Sequence, residues 1–229
     1  MIDLWESGQI PRMHKHEVHP DVSKGSRERY LYFTLPTSLN FQRQSSSMWS
    51  SALATWEDSE TNYLFFPEKV VRVDYLKIQS DLRKHKLSLQ VNKHTDIWVR
   101  LCKSFNDHWE DDPRKLIVHH QSCTTRIITY LQGNKTEFPY LNGNKMSNYW
   151  LYILDSYTDI QLRNKHKLSI IPDTHIQQCS MHLGLTTKAD KPDAVASAWF
   201  ELLQGQEIAP VSLHPVLWNW SRNKFLPPV

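Results

Sequence analysis

Phe138-Pro139-Tyr140-Leu141-Asn142-Gly143-Asn144-Lys145-Met146-Ser147 is a turn written between two helices, and the fold follows from it. Upstream, Pro113 to Gln132 reads as a helix, with Pro113 suited to a first helical turn and Gly133 to a C-terminal stop. Downstream, Met146, Trp150, Ile153 and Tyr157 share one stripe of another helix. Pro, Asn and Gly between them punctuate the chain. The spacing predicts an αα-hairpin whose second helix starts near Lys145. Backbone N–H groups at such a start point outward and can seat a phosphate, and Gly143 lets a phosphate come close. Gly143 and Asn144 are therefore candidate phosphate contacts. Taken alone, the stretch reads first as a plain hairpin with a surface lysine.

A second stretch, Ile170-Ile171-Pro172-Asp173-Thr174-His175-Ile176, leads two apolar residues and Pro into an Asp that opens a helix ended by Gly184. Asp is a favoured N-cap, so this too is structural on its own. Further out, Met48, Ala52 and Trp56 recur at helical spacing, and Val71, Tyr75, Ile78 and Leu82 form one face of a helix over 68–86. Residues 96–109, 194–203 and 215–222 read as further helices. Alternating strand patterns and internal repeats are missing from the chain, and the little β content expected falls near Tyr30–Leu35. The fold class is all-α.

The 229 residues suffice for one compact unit or two closely packed lobes. A net charge of +3 permits polyanion binding without demanding it. Nine Trp and nine Tyr can pack a core or stack on unstacked bases. Cys102, Cys123 and Cys179 form no CxxC pair, which argues against a zinc ribbon, a cysteine-ligated cluster or a disulfide framework. No metal or cofactor is expected. His14, His16 and His19 lie close together, yet a solvated N-terminal arm over 1–29 is the simpler reading. The N-terminus carries early acids and no apolar run, and no stretch has the length of a membrane span, so an intracellular, unsecreted protein is expected.

In combination the two stretches resemble the helix–hairpin–helix DNA glycosylases, in the order hairpin, lysine, Pro-Asp-Thr-His. Lys145 and Asp173 lie 28 positions apart (173 − 145), which is closer to the archaeal 8-oxoguanine glycosylase branch than to the endonuclease III branch. Leu213-His214-Pro215-Val216-Leu217-Trp218-Asn219-Trp220-Ser221-Arg222 is similar to a C-terminal helix of that archaeal branch, and Leu35-Pro36-Thr37-Ser38-Leu39-Asn40-Phe41-Gln42 to the approach to its first core helix. Two departures stand out. Tyr140 occupies the place of the first Gly of a Gly-x-Gly hairpin, with one residue inserted, and the four-cysteine cluster of the endonuclease III branch is missing from the sequence.

The resemblance implies a bifunctional DNA glycosylase and abasic-site lyase in base excision repair. Lys145 would be the nucleophile that forms a Schiff base, and Asp173 the carboxylate that stabilises a cation-like sugar. Lys145 would have to shed its proton, which calls for burial or nearby positive charge. Gln42, Trp49 and Trp218 are the candidate base pocket, and His175 and Arg43 join Gly143 and Asn144 as candidate phosphate contacts. Oxidised purine is the favoured substrate, with a bulky modified pyrimidine in foreign DNA as the alternative. A non-catalytic helix–hairpin–helix DNA binder is a rival, and so is a helical interaction protein. The expected partner is double-stranded DNA, bound by a monomer. Two lobes are expected with the active cleft between them, one lobe from 40–160 and the other from 30–39 with 161–229.

Overall fold

In the computed structural model, which describes residues 1–12, 18–40, 43–206 and 208–229, the chain is all-helical. It opens with α1 (Ile2–Glu6), α2 (Arg27–Thr34), α3 (Ser45–Glu57), α4 (Pro67–Val70), α5 (Tyr75–Lys84) and α6 (Val91–His108). It continues through α7 (Pro113–His119), α8 (Thr124–Gly133) and α9 (Asn144–Tyr157), then closes with α10 (Thr174–His182), α11 (Pro192–Leu202) and α12 (His214–Arg222). Among the described residues the β-type pairing is a single bridge, Cys123 to Arg163.

Two compact units divide the chain, Glu17–Arg163 and a smaller one made of Met1–His16 with Asn164–Val229. Residues 30–39 thus fall with the middle of the chain, where the sequence had grouped them with the C-terminal helices. The start of the chain also differs from a solvated arm. Ile10 is fully buried in the smaller unit's core, and Met1, Ile2, Leu4 and Trp5 rest against that core.

The segment expected to hold any β structure is helix α2. Tyr30, Leu31, Tyr32 and Phe33 are all buried, so the second half of the helix is enclosed on every side and shows no 3.6-residue pattern to read. Ser26 starts it by accepting the Arg29 N–H at 3.2 Å. Its Thr34 hydroxyl receives the Trp150 indole N–H at 3.0 Å, tying α2 to α9. Around them lie Trp49, Phe65, Trp98, Phe105 and Phe138, also fully buried. Most of the aromatic excess is core.

Two long predicted helices are each broken in two. The helix over 68–86 stops at Val70 and restarts after Asp74, whose side chain caps α5 through the Leu76 N–H at 2.8 Å. Val71 and Tyr75 consequently leave the buried face, while Ile78 and Leu82 keep it. The helix over 113–132 is interrupted at Gln121 and Ser122, both left-handed (φ 57° and 50°), before α8 begins. In the smaller unit α10, α11 and α12 enclose Ile170, Ile176, Cys179, Val195, Trp199, Leu217 and Trp220. Among the described residues no helix is long and apolar enough to cross a membrane.

Candidate active site

The hairpin in the larger unit has the form the sequence predicts: α8, a turn, and α9 starting at Asn144. Fully buried Phe138 and Leu141 anchor the turn from below. Asn142 closes it, its backbone N–H donating to the Phe138 carbonyl at 3.0 Å and its side-chain amide to the Lys135 carbonyl at 3.2 Å. Tyr140 takes φ 64°, the left-handed conformation that glycine adopts freely, and Gly143 N–H donates to its carbonyl at 3.1 Å. Here the chain reaches with a tyrosine the backbone region for which the resembling family uses glycine. The Lys93 ammonium sits 4.8 Å from the centre of the Tyr140 ring, bringing a second cation to the turn.

Gly143 is the N-cap of α9 and, having no side chain, caps nothing. The first N–H groups of the helix are left to whatever approaches them. Asn144 and Lys145 are exposed on this first turn, and among the described residues no carboxylate pairs with the Lys145 ammonium. Directly below, Ser147 folds its hydroxyl back onto the Gly143 carbonyl at 3.1 Å. Gly143, Asn144 and Lys145 are thus one continuous patch.

The smaller unit gathers a second set of side chains where α10 packs along α12. Asp173 is the N-cap of α10, its Oδ1 accepting the Ile176 N–H at 3.0 Å. Its Oδ2 lies 3.3 Å from Nε2 of His214, the first residue of α12. One turn along, His175 meets the Trp218 ring edge-on at 5.2 Å. The Ser221 hydroxyl donates to Gln178 Oε1 at 3.1 Å and so accepts from His175 Nδ1, also at 3.1 Å. That leaves a lone pair, rather than a proton, on Nε2 of the neutral ring. Burial pushes the His175 pKa down, against the pull of Asp173 and with Arg222 and His214 adding to the lowering. The lowering favours the neutral imidazole. Half-buried Trp218 has the Arg222 guanidinium 5.3 Å from its ring centre.

Asp173, His175 and Trp218 come together in this unit, as Gly143, Asn144 and Lys145 do in the other. Two further candidates do not take the part expected of them. Trp49 is fully buried against Tyr32 and Phe33, with its indole N–H toward the Tyr149 hydroxyl at 3.4 Å, so neither ring face is open to a base. Arg43 donates to the carbonyls of Leu87 at 2.8 Å and Lys86 at 3.4 Å, clamping the turn that follows α5 instead of reaching for phosphate. Gln42 lies outside the described residues, as do His14 and His16. Among the described residues no group of three or more His, Cys, Asp or Glu is placed to hold a metal ion. All three cysteines are buried and outside any disulfide, and burial pushes the Cys179 thiol up to about 12. His214 and Lys93 are residues beside these groups that sequence reasoning did not single out. The first sits inside the quoted C-terminal stretch, but nothing local pairs it with a residue 41 positions earlier.

No family model matches the chain, and no curated protein sequence matches it. Among solved structures, the fold is similar to that of endonuclease III trapped as a covalent intermediate with DNA, in an estranged-adenine complex. The TM-score is 0.56 at 14% sequence identity, over 95% of this chain and 80% of that one. The likeness establishes the all-helical endonuclease III fold for this chain.

Proposed function

We propose that the chain is a DNA glycosylase with abasic-site lyase activity, in which Lys145 is the nucleophile and Asp173 the charge-stabilising carboxylate. The observation that carries this reading is the placement of both residues at helix starts on a fold similar to that of endonuclease III. The N–H groups that open α9 suit a backbone phosphate, which would bring the duplex against Lys145. The opening of α10 places the Asp173 carboxylate at the positive end of the helix, where an N–H contact and the dipole suit a negative group.

The bond between C1′ and the base nitrogen breaks with its electron pair going to the base, which takes up a proton. Asp173 stabilises the positive charge left on the sugar, most strongly where bound DNA has expelled water. Lys145 is exposed in the free protein, so bound DNA would have to bury it for its ammonium to shed a proton; the neutral amine then gives its lone pair to C1′ and loses a second proton. The C1′–O4′ bond then opens to leave an imine. Removal of a C2′ proton expels the 3′ phosphate oxygen, which nicks the strand, and water releases the lysine. The target nucleotide must leave the stack for this to happen, and Trp218 is the proposed stacking side chain for it. Oxidised purine is the favoured substrate on the strength of the resemblance, and a bulky modified pyrimidine is the alternative. The partner is double-stranded DNA, bound by a monomer.

Borohydride trapping tests the reading directly. With a duplex carrying an abasic site, wild type should give a covalent adduct and Lys145→Gln none. Absence of an adduct from wild type, or an equal yield from the variant, would rule the lyase chemistry out. A protein that binds duplex with steep salt dependence yet never gives an adduct would be a binder only. A panel of oxidised, deaminated, alkylated and modified bases then identifies the substrate.

A further inference from the structure

We propose that Arg222 is a phosphate-binding residue that grips the DNA backbone beside the nucleotide stacked on Trp218. The inference rests on the duplex binding of the reading above, and not on its lyase step. Arg222 is the last residue of α12 and is exposed. A basic residue in that place ordinarily serves the last carbonyls of its own helix. Here those carbonyls are already served. The Asn223, Lys224 and Phe225 N–H groups donate to the Asn219, Ser221 and Trp220 carbonyls at 2.9, 3.1 and 2.9 Å. Lys224 and Phe225 are both left-handed (φ 56° and 60°), so the chain itself curls under the helix end and closes it. Arg222 reaches the other way, one turn back along α12, and lays its guanidinium over the Trp218 ring at 5.3 Å from the centre. Among the described residues it has no carboxylate partner. A guanidinium resting on an indole keeps the N–H fork at its edge for another acceptor.

Trp218 and Arg222 are four positions apart and share one face of α12. That face meets α10, where His175 touches the Trp218 ring edge-on at 5.2 Å and has its pKa lowered in part by the Arg222 charge. Leu217 and Trp220 are fully buried, so the face is held in place from beneath. The fork thus lies at the rim of the ring on which the base would stack. A stacked nucleotide carries its phosphates at the edge of the stack, and a planar guanidinium can meet two phosphate oxygens at once.

Salt titration of duplex binding tests the contact. Arg222→Gln should lower the slope of log K against log salt by about 0.9 and weaken binding about five- to tenfold at low salt, equally for duplexes of unrelated sequence. Arg222→Lys keeps the charge and should restore the slope, but not the full affinity, because the fork is gone. Lys188→Gln removes the same charge from the exposed turn between α10 and α11 and should keep the wild-type slope. Urea midpoints of the three variants report whether the fold is kept. Equal losses of slope in Arg222→Gln and Lys188→Gln would reduce the effect to net charge and overturn the contact. So would a wild-type slope in Arg222→Gln, a slope that lysine fails to restore, or a loss confined to particular sequences, which marks a base edge. If wild type gives no borohydride adduct while the Arg222→Gln slope falls as stated, the lyase reading fails and this contact stands. If wild type binds no duplex, both fail.

Discussion

Helix α9 begins at Gly143, which has no side chain to offer, and helix α10 begins at Asp173, whose carboxylate already holds the Ile176 N–H. The two starts are built from the same backbone geometry, since each N-cap is extended and each helix follows a Pro-containing stretch. Their electrostatic outcomes are opposite. The first leaves its N–H groups and partial positive charge open to an anion from outside, beside an exposed lysine. The second fills the same position with a carboxylate of its own. A helix terminus is thus a neutral device, and the capping residue decides whether its N–H groups stay open or are filled from within the chain.

The largest way to break this comparison is to change charge at the filled start without changing its shape. Asp173→Asn keeps a good cap, so stability should move by less than about 0.5 kcal/mol. Excision should nevertheless fall by at least about a hundredfold, because the neutral amide stabilises no cation. Asp173→Ala loses the cap as well and should unfold about 1 kcal/mol more easily. Single-turnover excision and urea titration measure the two quantities, and an active Asp173→Asn protein would reduce Asp173 to a cap.

Acid sharpens the comparison next, through His94, a neighbour of Lys93 in the first turn of α6. Burial lowers its pKa to about 4, with Arg43 and Lys93 adding to the effect, and its Nδ1 accepts the Leu89 N–H at 3.2 Å. The unfolded chain takes up this proton near its ordinary value of 6.5, whereas the folded one resists it down to about 4. Stability is therefore complete above 6.5 and declines as pH falls toward 4, by roughly 3 kcal/mol at most. Urea midpoints between pH 7 and 4.5 should follow that sign. His94→Gln should flatten the dependence, and an unchanged slope would clear His94 of the effect.

The smallest test converts the open start into a filled one. Gly143→Asp fits the backbone, as φ is −65° and an added Cβ would meet only the Tyr140 carbonyl, at ordinary contact of 3.4 Å. The new carboxylate should raise stability by a few tenths of a kcal/mol and weaken duplex binding about two- to fivefold at low salt. Unaltered affinity would mean that phosphate does not sit at α9.

The helix starts that matter most were legible in the sequence. The beginnings of α9, α10 and α12 fall within about two residues of the positions that Gly143, Asp173 and Pro215 announce. Turn and cap chemistry is local, and local chemistry can be read from neighbours in the chain. Helix α2 was misread for the converse reason. Four consecutive buried residues, Tyr30 to Phe33, leave no polar face in the second half of the helix, and such an aromatic and apolar run looks like a strand. The breaks at Asp74 and at Gln121-Ser122 hid inside periodic segments because their apolar spacing continues across them. Trp49 could not be sorted from Trp218 by sequence either: both are tryptophans near a quoted motif, and only three-dimensional packing makes one core and the other half-exposed. The His214–Asp173 pair depends on two helices lying side by side, which no single stretch encodes.

Tyr140 carries a further consequence. Its φ of 64° shows that a turn is specified by angles, and that residue letters are only one route to them. A pattern that demands glycine at this position scores the tyrosine as a defect, although the chain passes through the region glycine would have used. Hairpins of this kind are better sought by backbone geometry than by spelling.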